Sequence, residues 1–245
     1  MKMVEREEPA VISFNTMRVL IGVIALLLPV LTTVGYRLTG GPQGVWLGSI
    51  SEYYYSTMRD VFVGGLSMIA LFLVAYRGYN NLEDRLFNCA AALAVAIAWF
   101  PMSPDLRSDA VRPLTSCSYD VTSPSPCFDS GSFDLQFGHR AMLVHFDAFR
   151  RIHEISAGLM FVFLGVVSLF FFTKSKDPKD RLTSPKRKRN LIFRVCGVII
   201  WGSLALHTLT LLPLLLTEWI CLWAFGVSWL VKGASPWEAR PSTQR

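Results

Sequence analysis

The sequence is poor in the patterns that announce catalysis. Across 245 residues there is no HExxH helix, no GxSxG elbow and no phosphate-cradling glycine loop. Those absences argue against a zincin, a serine hydrolase of the common fold and a P-loop nucleotide enzyme. No HxxxH falls within an apolar stretch, and histidine is scarce, with four in all. A bis-histidine haem on His153 and His207 is formally available, but two lone histidines at unrelated spacing give it little support. Secondary transporters are commonly built from internal repeats with paired broken helices, and neither is evident here.

Apolar residues are what the chain has in excess. They make up 52% of it, against roughly 45 to 50% in soluble domains, and they come in blocks. Crossing the hydrocarbon layer as a helix takes about 20 predominantly apolar residues. Six stretches meet that need, near 18 to 37, 60 to 77, 85 to 101, 153 to 173, 191 to 213 and 214 to 231. The predicted fold is all-α, a polytopic bundle of six transmembrane helices over 18 to 231. A cytoplasmic lead-in at 1 to 17 and a tail at 232 to 245 flank it. The first stretch is longer than a signal-peptide h-region and lacks a small-x-small cleavage site, so it reads as a retained anchor.

Lys and Arg are held on the cytoplasmic side during insertion, and their distribution orients the bundle. With the amino terminus inside, seventeen of the 24 basic residues fall in cytoplasmic segments. Seven fall outside: Arg37, Arg59, Arg107, Arg112, Arg140, Arg150 and Arg151. Both termini are therefore expected in the cytoplasm of a cell-membrane protein. The formal charge of +6 then describes one membrane face, through topology and anionic lipid rather than nucleic acid. The strongest basic cluster is the inner loop 174 to 190.

Local chemistry refines the picture. Pro29 removes a backbone hydrogen bond within the first span, a loss that neighbouring helices can offset. Tyr53, Tyr54 and Tyr55 are expected in the headgroup layer, with Trp46 and Trp99 as interfacial anchors. Gly64, Gly65 and Ser67 predict a small-residue face for close helix approach. The alanine-rich third helix is expected inside the bundle. The outer loop 102 to 152 contains Cys117 and Cys127, which on an oxidising face read as a disulfide. Cys89, Cys196 and Cys221 lie in spans and are expected to stay reduced. Met142, Phe146 and Phe149 at helical spacing predict an interfacial helix on the outer leaflet.

This topology places His139, His145, His153 and His207 on the outer side, together with Glu52, Asp60, Asp105, Asp147, Glu154 and Glu218. Ionisable groups in spans tend to face a bundle interior or cavity and mark sites. Glu52, Arg59, Asp60, His153, His207 and Glu218 are therefore the candidate ligand-binding residues, at an outer pocket suited to a membrane lipid or a membrane protein partner. Each has a structural alternative: Asp60 as a helix cap, His153 as an interfacial side chain, Arg59 as a snorkelling cation. For His207 and Glu218 the two readings stand level. No catalytic residue is assigned and no cofactor is required. In the alternative reading of a metal-dependent lipid hydrolase, His153, His207 and Glu218 or Asp60 would hold zinc. A further alternative is an accessory subunit of a larger membrane complex.

The order of features resembles the bacterial six-helix membrane proteins related to the DRAM/Frag family. The residues that carry the resemblance are Ser49, Ser51 and Glu52 before the second span, Gly64 and Gly65 within it, Phe100 with Pro101 at the end of the third, and His153, Ser156, Ala157 and Gly158 in the fourth. The long Cys-containing loop departs from that pattern. The resemblance implies an integral membrane protein without established catalysis, in a group whose eukaryotic members are linked to membrane trafficking and lipid-related processes. The chain is more distantly similar to the alkaline ceramidase type of intramembrane hydrolase, but its sixth helix lacks the paired histidines of that family.

Overall fold

The computed structural model describes residues 14 to 39, 46 to 76, 81 to 102, 139 to 174 and 184 to 233. The described residues form helices and turns, with no strand among them. Helix α1 spans Phe14–Leu38, α2 Arg59–Ala75, α3 Asn81–Trp99, α4 His139–Val166, α5 Ser184–Thr208 and α6 Leu214–Gly233. A 3-10 turn, Ser51–Tyr55, precedes α2, and a π turn, Val167–Phe171, continues α4. Cys117 and Cys127 lie outside the described residues.

Four stretches are long and apolar enough to cross a membrane: Asn15–Leu38, Ala148–Phe171, Lys186–Thr208 and Leu214–Gly233. α2 has 17 residues, at the lower end of the spanning range of roughly 17 to 25. α3 opens with the polar residues Asn81, Glu83, Asp84 and Arg85. Both pack within the bundle, α2 against α1 and α3, and α3 against α4.

The α1 and α6 pair is the most extensive packing in the molecule, and two glycines make it possible. A Cβ on Gly22 would lie 2.9 Å from the Gly226 carbonyl oxygen, and a Cβ on Gly226 would lie 2.9 Å from that of Gly22. The backbones meet directly there, as small residues allow in apolar surroundings. Farther along the same pair, the Trp223 indole donates to the Leu26 carbonyl (3.1 Å), close to the ladder bond that Pro29 removes. The Thr32 hydroxyl donates to Leu28 O (2.9 Å) and the Thr33 hydroxyl to Pro29 O (2.6 Å). Neighbouring side chains thus surround the proline with polar contacts.

α3 buries Ala90, Ala91, Ala94 and Ala98, the interior placement expected of its alanines. Gly65 also packs as expected, since a Cβ there would come 2.7 Å from Leu28 Cδ1 of α1. Gly64 does not share that role: it is exposed and nothing lies within 4 Å of its Cβ direction. Consecutive residues on a helix stand about 100° apart, so the two glycines point to different neighbours.

Three other expectations are corrected. The tyrosine triplet does not share one environment. Tyr53 is fully buried, edge-on to Tyr36 at 5.5 Å, while Tyr54 and Tyr55 are half-buried. The stretch that includes Met142, Phe146 and Phe149 is no separate helix laid along a surface. It is the opening of α4, which runs unbroken from His139 for 28 residues, about 42 Å at 1.5 Å per residue. The basic segment is helical from Ser184 onward, so part of the predicted inner loop is the first turns of α5.

At the basic end the core is aromatic. Trp229 lies at ring-centroid distances of 5.2 Å from Phe172, 5.3 Å from Tyr76, 5.8 Å from Phe225 and 6.1 Å from Phe87. The π turn helps to place Phe171 and Phe172 in this cluster, because its wider ring, closed by Phe172 N–H to Val167 O (3.0 Å), shifts the helix register.

Candidate functional site

At the opposite end of the bundle, the segment 46 to 56 folds across the start of α6. Ser49 and Glu52 have the S-x-x-E spacing of a capping box. The Ser49 hydroxyl accepts the Glu52 N–H (3.1 Å), and the Glu52 carboxylate reaches back to the Gly48 N–H (2.7 Å). That is one residue beyond the usual partner. The loop is then fastened to α6 twice. Leu215 N–H donates to Gly48 O (3.0 Å), and Ile50 N–H donates to Glu218 Oε2 (2.5 Å). Glu218 Oε1 accepts only a long contact from the Ser51 hydroxyl, at 3.5 Å.

Glu218 is 5% exposed and Glu52 6%. A buried carboxyl is costly unless its oxygens are satisfied. Here backbone N–H groups of one short loop take up an oxygen of each acid, which is why two acids can sit near one another inside a helical bundle. Outside the spanning segments, burial also pushes the Tyr53 phenol up to about 12. Burial raises the Tyr55 phenol as well, and its hydroxyl donates to Met102 O (2.5 Å).

Beneath this loop lies a cavity of about 50 Å³. Ser51 and Glu218 border it, but its accessible wall is apolar, with Leu66, Met160 and Phe225 among the lining residues. None of the lining residues is basic. By the same measure one water needs roughly 10 to 15 Å³, so the space admits a few waters or a short piece of hydrocarbon. Ala157 and Phe161 of α4 and Leu222 of α6 also line it and remain half-buried.

Of the six candidate residues, the structure brings Glu52 and Glu218 together on one loop. The others serve separate contacts. Arg59 lies 4.7 Å from the Tyr54 ring centroid and donates to its hydroxyl (3.1 Å). Asp60 is exposed in the first turn of α2. His153 bonds Phe100 O through Nδ1 (2.8 Å), which fixes the proton on that nitrogen because a carbonyl can only accept. It thereby closes the end of α3 against α4, and its buried Nε2 has no hydrogen-bond partner among the described residues. His207 bonds Leu212 O in the same way (2.9 Å) across the α5–α6 turn, where Thr210 takes a positive φ of 60°. Among the described residues no three His, Cys, Asp or Glu side chains are grouped to hold a metal, and His153 and His207 each bond a different backbone carbonyl. The described Cys89, Cys196 and Cys221 are free thiols.

Sequence reasoning missed a second polar cluster, at the basic end. Glu83, 2% exposed, pairs with Lys174 at 2.7 Å, and the Lys186 ammonium donates to the Lys174 carbonyl (3.0 Å). Arg18 donates to the Tyr76 hydroxyl (3.2 Å), and Lys232 lies 5.9 Å from the Phe172 ring centroid. Arg18, Lys186 and Lys232 are all buried. No spacing in the chain announces a pair separated by 91 residues. The capping-box spacing of Ser49 and Glu52, by contrast, is a signal that could have placed Glu52.

Comparison of the chain with protein-family models, with curated proteins and with solved structures gives no match.

Proposed function

We propose that this chain is a six-span membrane protein that binds a lipid chain in the cavity beneath the 48 to 52 loop. In this reading the basic end lies in the cytoplasm with both termini, and the loop end faces outward. The observation that carries the reading is the cavity itself, whose accessible wall is apolar, with Leu66, Met160 and Phe225 among its lining residues. Hydrocarbon is favoured over water in an apolar enclosure of this kind. Four helices already have spanning length and composition. The packing of α2 and α3 against them supports crossing alongside. The lipid-related associations of the DRAM/Frag group, which the chain resembles, point the same way.

A lipid with a photoreactive group on its acyl chain, incorporated with the purified protein into nanodiscs, tests the proposal. Labelling should map to peptides of α4 and α6 and fall sharply when Ala157→Phe or Leu222→Trp fills the cavity. Labelling that both substitutions leave intact would place the lipid elsewhere. For orientation, impermeant thiol reagents should reach Cys117 from outside intact cells once the expected Cys117–Cys127 bridge is reduced with an impermeant reductant.

A further inference from the structure

The outward faces of the helices are not alike. α2 exposes Met68, Leu71 and Val74, and α4 exposes Ile155, Leu159 and Val162, large apolar side chains suited to hydrocarbon. Between Leu82 and Trp99, α3 exposes no large apolar side chain. Its outward face there carries Arg85, Asn88, Cys89 and Ala92, all exposed, with Ala96 half-buried. Asn88, Ala92 and Ala96 stand four residues apart, so an amide and two methyl groups form one row along the helix. The Asn88 side chain makes no hydrogen bond among the described residues. On the six-span reading above, this amide lies in the hydrocarbon. Asn88 is about 16.5 Å along the helix from Trp99, in a core roughly 30 Å thick, and about 7.5 Å deeper than Glu83. An amide at that depth is costly unless another polar group meets it.

Resting on the six-span reading, we infer that this face of α3 is the contact surface of a homodimer, in which Asn88 of each copy hydrogen-bonds the same residue of the other. Copies inserted under one set of topology signals share an orientation, so their twofold axis runs along the membrane normal. Two α3 helices related by that axis are parallel, and identical residues meet at one depth. A carboxamide carries both donors and an acceptor, so it pairs reciprocally with its own kind. A different protein would need a polar side chain at the matching depth, whereas a second copy brings one by symmetry. Ala92 and Ala96 allow the backbones to approach closely enough for short amides to touch. One turn toward the basic end, exposed Arg85 stands beside half-buried Asp84. The same axis sets the cation of each copy near the acid of the other, a complementary arrangement.

Single-molecule photobleaching of the full chain in liposomes, over a dilution series in lipid, measures the association. Wild-type protein should dimerise, and Asn88→Leu should weaken the dimer about tenfold, the scale of two hydrogen bonds between helices. Ala92→Trp should weaken it at least as much by holding the backbones apart. Asn88→Gln keeps the amide and should retain most of the association, and Leu71→Trp on the neighbouring face of α2 should leave it unchanged. These positions are exposed, and a cooperative thermal transition shows that each variant is folded. A wild type that stays monomeric throughout the series would overturn the homodimer, as would a dimer weakened by neither Asn88→Leu nor Ala92→Trp. An impermeant maleimide, mapped to Cys89 by peptide mass, tells that failure from failure of the six-span reading. A monomer whose Cys89 resists the reagent keeps α3 in the membrane and loses only the docking surface. Ready reaction of Cys89 would take α3 out of the hydrocarbon and overturn both.

Discussion

The two ends of the bundle each bury ionisable side chains and satisfy them by different means. At the loop end the acids are held by backbone N–H groups of a single short segment, and a cavity lies beneath. At the basic end side chains from distant elements meet one another over closely packed aromatic rings. A loop can donate several N–H groups without filling the volume below it. Cations carried on long side chains, by contrast, lie along rings and exclude space. The first arrangement leaves room for a guest, and the second reads as a fastening.

The comparison breaks most visibly at Trp229. Replacing it with Ala removes the ring shared by Phe172, Tyr76 and Phe225, and should cost about 3 to 5 kcal/mol, measured by unfolding in graded denaturing detergent. Leu66→Ala, which enlarges a cavity already present, should cost less than that in the same assay. If the two were equal, the contrast between a filled and an open end would be lost.

Glu218→Leu comes next, since it strips the Ile50 N–H and the Ser51 hydroxyl of their acceptor. A loss of about 1 to 3 kcal/mol is expected, with Glu218→Gln nearer wild type in the same thermal melt. A smaller effect is expected at the basic end from Glu83→Gln. The Lys174 partner is 42% exposed, so solvent screening limits the pair to about 1 kcal/mol, with the difference shrinking further in high salt.

The smallest effect at neutral pH, and the sharpest test of the buried tyrosine, is alkaline. The Tyr53 phenol titrates near 12 in the folded chain, above the usual value of about 10. The folded state therefore holds this proton more tightly than the unfolded one. Its contribution is complete below about 10 and disappears as pH rises toward 12. Tyr53→Phe should flatten that part of the stability profile, as followed by thermal melts across alkaline pH.

Much of the helical organisation is legible because apolar runs, prolines and charge runs are local signals. The third helix announces its interior face through alanine, and Pro29 announces a disrupted ladder. Glu52 stood out as an ionisable group at the outer face, while its capping-box spacing from Ser49 is a local signal that went unread. Other residues were legible only in part. His153 and His207 stood out as rare ionisable groups, and the structure gives each a carbonyl at a helix end. Gly64 and Gly65 looked alike in the chain, and only one meets a neighbour.

The sequence by itself determined an all-helical chain rich in apolar segments, because helix formation and hydrophobic patterning act over a few turns. Tertiary structure decided which of the scarce polar groups became partners. Glu218 meets Ile50, and Glu83 meets Lys174, across separations that no local pattern spans. Only the folding of the 48 to 52 loop over α6 leaves an open space beneath two acids, because a cavity belongs to the packing of several elements and to none of them alone.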